Sequence, residues 1–153
     1  MDVQTGRMYK LIERERSWSR AELFCQTLGA HLASIHSKTE NDFVLRSLAK
    51  HKYYPWIGAH RLGHTNIFAW TDGSRFDFAN WGPGEPDNTR TQLCVQGSWL
   101  AFRQGLWHTY PCVPQSFVCA KNENSSCFTG SGSLILLLII MITVVLLCCD
   151  LYA

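Results

Sequence analysis

The chain has 153 residues and a net charge of +2, which suits one domain with an appendage and leaves no basic surplus for nucleic acid. Its 7 cysteines are many for a reducing compartment and point to an oxidising one.

Residues 1–19 are polar and contain no apolar stretch of the signal-peptide kind. Set beside the cysteines, this leads to the expectation that the sequence lacks its true start. The alternative is a tail-anchored protein whose thiols stay reduced in the cytosol. Residues 7–16 alternate Tyr9 and Leu11 with charges, as an edge strand does, and the Arg-Glu alternation from Glu13 to Arg16 reads as its solvated face. Ser17 can cap a helix whose inward residues Ala21, Phe24, Cys25 and Leu28 follow i, i+3, i+4, i+7, and Gly29 ends it. Residues 32–35 form a short apolar strand. Ser37 and Glu40 have capping-box spacing and open a second helix that runs to about Lys50.

The chain then changes character. Gly, Pro, Asn and Asp become frequent and helical periodicity stops. Residues 56–58 and 68–70 read as strands, and 73–91 as a long loop. Two helices followed by strands and loops predict an α+β domain, with no internal repeat.

Residues 122–133 are polar and rich in Ser and Gly, and read as a stalk. Residues 134–149 carry no charge and consist mainly of Leu, Ile and Val. As a helix this run spans about 24 Å, against a hydrocarbon core of about 30 Å, and it is expected to be a single transmembrane segment. No Lys or Arg follows it, only Asp150 among charged residues, so a positive-inside signal is missing. The sequon at Asn124, a spacer and an apolar tail also fit a GPI-attachment signal, in which the tail is removed. Cys148 and Cys149 would lie at the inner end of a retained span, as lipidation sites or simply as apolar residues.

Several motifs stand in a fixed order. Trp18-Ser19-Arg20-Ala21-Glu22 leads to Cys25, and Gly29-Ala30-His31-Leu32-Ala33-Ser34-Ile35 follows. Then come Trp56-Ile57-Gly58, Trp70-Thr71-Asp72-Gly73, the loop Gly82-Pro83-Gly84-Glu85-Pro86-Asp87-Asn88, Cys94, Gly105-Leu106-Trp107, Cys112 and Phe117-Val118-Cys119. Together these resemble the C-type lectin-like domain in its short form, over residues 7–121. The resemblance implies two helices, small antiparallel sheets and a long binding loop. From sequence alone four cysteines allow three pairings; the resemblance implies Cys25–Cys119 and Cys94–Cys112. Cys127 is then left over, either as a bridge in a homodimer or as a free thiol.

The resemblance also implies a calcium-dependent sugar site on the long loop. Its positions here are Glu85, a cis Pro86, Asp87 and Asn88, then Gln92 where an acid normally stands. His108 and Thr109 replace the Asn-Asp that normally follows Trp107. Calcium takes several oxygen ligands and binds more tightly as more of them carry charge. Glu85 and Asp87 remain as its carboxylates, while the nitrogen of His108 suits a hard cation poorly. The reading is therefore a carbohydrate site with a degenerate calcium set: Glu85, Asp87, Asn88, Gln92, His108 and Thr109. Glu-Pro-Asp matches neither the mannose-type nor the galactose-type sugar code of the family. The competing reading leaves Pro83, Gly84 and Pro86 to shape the loop, with Glu85 and Asp87 solvated.

Catalytic readings fare worse. His60 and His64 lack the context of a zinc enzyme, and Glu85 and Asp87 on one loop give no reason for a raised pKa of the glycosidase kind. The expected protein is not an enzyme. It is a single-pass membrane-anchored lectin, its domain on the extracellular or lumenal side, that binds a glycan. The alternative is a calcium-independent domain that binds a cell-surface protein with the same loop.

Overall fold

The computed structural model describes residues 6–49, 54–87, 91–98 and 105–122. All of these fall in the first of the chain's two units, residues 1–122. The stalk from 123 onward, Cys127 and the apolar run 134–149 lie outside the described residues. Among the described residues no helix is long and apolar enough to cross a membrane.

Strand β1 spans Arg7–Arg16 and α1 spans Trp18–Thr27. Ser17 stands at the helix N-cap, but its side chain makes no capping bond. Ala21 and Cys25 are fully buried, with Phe24 and Leu28 packed partly beneath the same face. The helix ends in a Schellman arrangement: Gly29, left-handed at φ 64, donates to the Gln26 carbonyl, and Ala30 donates to that of Cys25. Glu22, on the same helix, accepts from the Leu32 backbone N–H at 2.9 Å and so holds the next segment.

Strand β2 is His31–Leu32. This is shorter than the expected 32–35, although Ala33 and Ile35 are still fully buried. Ala33 instead donates to Val118 and accepts from Gly58, which ends the regular ladder. Helix α2, Lys38–Asp42, is capped by Ser37, whose hydroxyl accepts from the Glu40 N–H at 3.1 Å. The Glu40 carboxylate does not close the expected box on Ser37. It accepts from the His36 N–H at 2.6 Å, from Arg7 at 2.7 Å and from Tyr9, so it ties β1 to α2. The helix continues as a π-helical stretch, Phe43–Leu48.

The later strands are β3 Trp56–Arg61, β4 Phe68–Trp70, β5 Cys94–Gly97, β6 Trp107–Tyr110 and β7 Gln115–Asn122. They join β1 in a single sheet of order β1-β7-β3-β5-β6, with β2 on β7 and β4 on β3. The expected small antiparallel sheets are therefore one sheet, and β3 runs parallel to β7. β1 takes the expected edge and pairs Tyr9 with Ala120 and Leu11 with Val118.

The core has two clusters. One joins α1 to Trp56, Phe117 and the Cys25–Cys119 bridge. The other centres on Trp107, whose ring meets Trp70 and Trp81 edge-on, each at 5.6 Å, and Phe78 at 5.7 Å. Phe76, Phe78 and Trp81 all come from the long loop, so the loop is pinned by its own aromatic residues. Both implied disulfides form, each with a Cα–Cα distance of 5.4 Å.

Candidate functional site

The long loop is stitched to β6 before it reaches its polar residues. Trp107 donates to the Asn80 carbonyl at 2.8 Å, and Gly82 donates back to the Trp107 carbonyl at 2.9 Å. Those two bonds set Glu85 beside residues 108 and 109. The Glu85-Pro86 peptide is cis, as the resemblance implies. Arg61, almost fully buried at the end of β3, donates to the Asp87 carbonyl at 2.5 Å and lies over the Phe68 ring. An arginine at a strand end carries no motif, so nothing in the sequence marks this role.

Glu85 is turned inward. Its Oε2 accepts from the Thr109 hydroxyl at 2.6 Å, from the Thr109 N–H at 2.9 Å and from the Asp87 N–H at 3.0 Å. The Asp87 N–H also lies 2.9 Å from Thr109 Oγ1. Gln92 Oε1 sits 3.2 Å from that hydroxyl, farther than Glu85. His108 places Nδ1 3.4 Å from Glu85 Oε1. Its ring packs against Gly82, where a Cβ would come within 2.7 Å of His108 Cε1. Glycine at 82 is what lets the imidazole occupy this position.

Two opposed effects act on the Glu85 carboxyl. Burial pushes its pKa up. The Thr109 hydroxyl, the N–H groups of Thr109 and Asp87, and the charge of His108 pull it down further, so it lies below the usual glutamate value.

The structure thus gathers Glu85, Asp87, Gln92, His108 and Thr109 around one cleft of about 310 Å³, lined also by Tyr54, Gln96, Ser98 and Tyr110. Asn88 lies outside the described residues. Tyr54, Gln96 and Tyr110 were not anticipated, although the alternation along β6 places His108 and Tyr110 on one face.

The described residues do not fit a calcium cage. Calcium needs oxygens free to coordinate. Here one oxygen of Glu85 is already taken by three donors, and the Thr109 side chain is one of them where a carboxylate would contribute an acceptor. Among the described residues no three His, Cys, Asp or Glu side chains converge as a metal site.

The family model for the lectin C-type domain matches residues 14–121. The chain belongs to the C-type lectin domain family. A protein named lectin from Pleurodeles waltl is 38% identical over 125 residues, covering 77% of this chain and 72% of that one. Other relatives are far longer, and the chain spans 8% and 4% of two of them. Among solved structures, a calcium-independent type II antifreeze protein superposes with a TM-score of 0.69 at 28% identity, covering 76% of this chain and 87% of that one. The carbohydrate-recognition domain of cow CD23, solved in the presence of a GlcNAc2Man3 oligosaccharide, gives 0.67 at 30%, covering 76% and 88%.

Proposed function

We propose that this C-type lectin domain binds carbohydrate beside its long loop without calcium, as the outward-facing part of a membrane-anchored protein. The observation that carries the calcium-free part is the Thr109 hydroxyl on Glu85 Oε2, which keeps the loop's carboxylate as an internal acceptor. Carbohydrate as the ligand draws support from the named lectin relative and from the CD23 structure solved with an oligosaccharide. The membrane anchor draws on the uncharged run 134–149, with 7–121 as the domain and 122–133 as the stalk. A lumenal or extracellular side for the domain draws support from its two bridges, which suit an oxidising compartment.

The test is glycan-array binding of the purified protein in calcium and in EDTA. Equal binding in both supports the reading, and loss in EDTA contradicts it. Carbonate extraction of membranes tests the anchor, and release by a phosphatidylinositol-specific phospholipase marks a GPI anchor instead.

A second reading, a calcium-independent domain for a protein ligand, is favoured by the tip of the β3–β4 hairpin. Leu62 and Ile67 are exposed there, at 44% and 61%. Glycan arrays blank in both buffers, with a cell-surface protein captured, favour it. Under either reading Cys127 bridges a homodimer or stays a free thiol, and a non-reducing gel decides between them.

A further inference from the structure

Two clefts meet beside the loop. The one that reaches Glu85 and Asp87, about 310 Å³, and a second of about 410 Å³ share Tyr54, Gln96 and Tyr110. The second runs on to Glu15, Val113, Pro114 and Gln115. They form one groove, and each half reaches the size of a small-molecule site.

Its floor is built. Gln96 pairs with His108 and Cys94 with Tyr110 across β5 and β6, so Gln96, His108 and Tyr110 share a face of the sheet. Gln96 is 8% exposed and its Oε1 accepts from Gln115 Nε2 at 2.6 Å, which fixes the amide plane and leaves its N–H2 to donate. Tyr110 is 43% exposed, yet its ring rests against Trp56, with centroids 6.5 Å apart, and it stands two residues from the Cys94–Cys112 bridge. The result is an aromatic surface held in place before any ligand arrives.

The charge of the lining selects the ligand. Among the described lining residues the charged side chains are Glu15, Glu85 and Asp87, with His108 beside Glu85 and no Lys or Arg. Among the described lining residues a phosphate, sulfate or sialic acid would meet three carboxylates and no Lys or Arg to pair with. A neutral sugar meets flat rings for its C–H faces and fixed amide and hydroxyl groups for its hydroxyls.

We propose that the Tyr54–Gln96–Tyr110 groove seats a neutral oligosaccharide longer than one ring, with Tyr110 as the stacking surface and Gln96 as the donor that orients it. This rests on the carbohydrate reading above and gives it a seat that runs from the loop's calcium position onto Tyr54, Gln96 and Tyr110, and a ligand class.

The experiment is an array of neutral, sulfated and sialylated oligosaccharides in EDTA, probed with the full chain and with Tyr110→Ala, Tyr110→Phe and Gln96→Ala, each checked for an unchanged thermal midpoint. The expected result is binding of neutral glycans alone, weakened at least tenfold by Tyr110→Ala and by Gln96→Ala and kept by Tyr110→Phe. Full binding by Tyr110→Ala overturns the groove and leaves the carbohydrate reading standing. Preference for sulfated or sialylated glycans overturns the ligand class. No glycan bound by the wild type overturns the groove and the carbohydrate reading together.

Discussion

Thr109 donates twice to one oxygen of Glu85, through its hydroxyl at 2.6 Å and its backbone N–H at 2.9 Å. An aspartate at 109 would have offered an acceptor in the same place. The substitution therefore changes the sign of the contact: what would be two carboxylates that repel unless a cation joins them becomes a donor and an acceptor that need none. Glu85 accordingly acts as a strut between the loop and β6.

Removing that hydroxyl tests the strut. Thr109 is 2% exposed, so Thr109→Val keeps the shape and deletes one donor. Glu85 retains two backbone donors, and the expected loss is about 1–2 kcal/mol. Urea unfolding at neutral pH measures it, and an unchanged midpoint would show that the hydroxyl does not hold the carboxylate.

The same strut sets an acid limit. The Glu85 pKa is lowered in the folded protein, burial being outweighed by its donors and by His108. Asp72 behaves likewise: burial raises its pKa, but the bonds from Ser34 and Ser74 and the charge of Arg7 lower it further. A group lowered on folding stabilises above its unfolded pKa and loses that contribution as pH falls through the folded one. Stability is expected to be level above the ordinary glutamate value of 4.5 and to fall below it. Glu85→Gln should flatten part of that fall in a series of urea midpoints taken against pH.

The two bridges differ in what they constrain. Cys25–Cys119 spans 94 residues and Cys94–Cys112 spans 18. Chain-entropy reasoning assigns about 4.7 kcal/mol to the long one and about 3 to the short one. Cys25→Ser with Cys119→Ser should therefore unfold the domain at a lower urea concentration than Cys94→Ser with Cys112→Ser. Peptide mapping without reduction should recover these two pairs and no other combination of the four.

Much of the first half was legible because its signals are local. Tyr9 and Leu11 alternate along β1, Ala21 and Cys25 fall on one helical face, and Ser37 caps the helix its spacing announces. In the second half the strands at 56–58 and 68–70 were legible too, whereas β5 and β6 were not read as strands, being too short to show a period. The length of β2 was misjudged because Ala33 and Ile35 are as buried as strand residues while their backbone bonds go elsewhere. In the site, the motif named positions 85, 87, 92, 108 and 109, and the structure brings these five side chains to one cleft. The inward turn of Glu85 was not foreseen, because it depends on which atom of Thr109 faces it. Neither was Arg61, which acts through the Asp87 carbonyl, a group every residue has.

Converting the strut back into a cage should reverse its chemistry. Gln92→Glu, His108→Asn and Thr109→Asp together restore charged and carbonyl oxygens around Glu85 and Asp87. The triple variant is expected to be less stable than the wild type in EDTA, through carboxylate repulsion, and to regain stability when calcium is added. Thermal midpoints with and without calcium check both halves.

The most direct measurement is an isothermal calorimetric titration of calcium into the wild-type protein. Sites of the extracellular kind bind calcium at about 0.1–1 mM. With Glu85 Oε2 held by Thr109 and Asp87, no saturable binding is expected below millimolar calcium. Saturable binding in the 0.1–1 mM range, abolished by Glu85→Gln, would contradict the account and make Glu85 a working ligand.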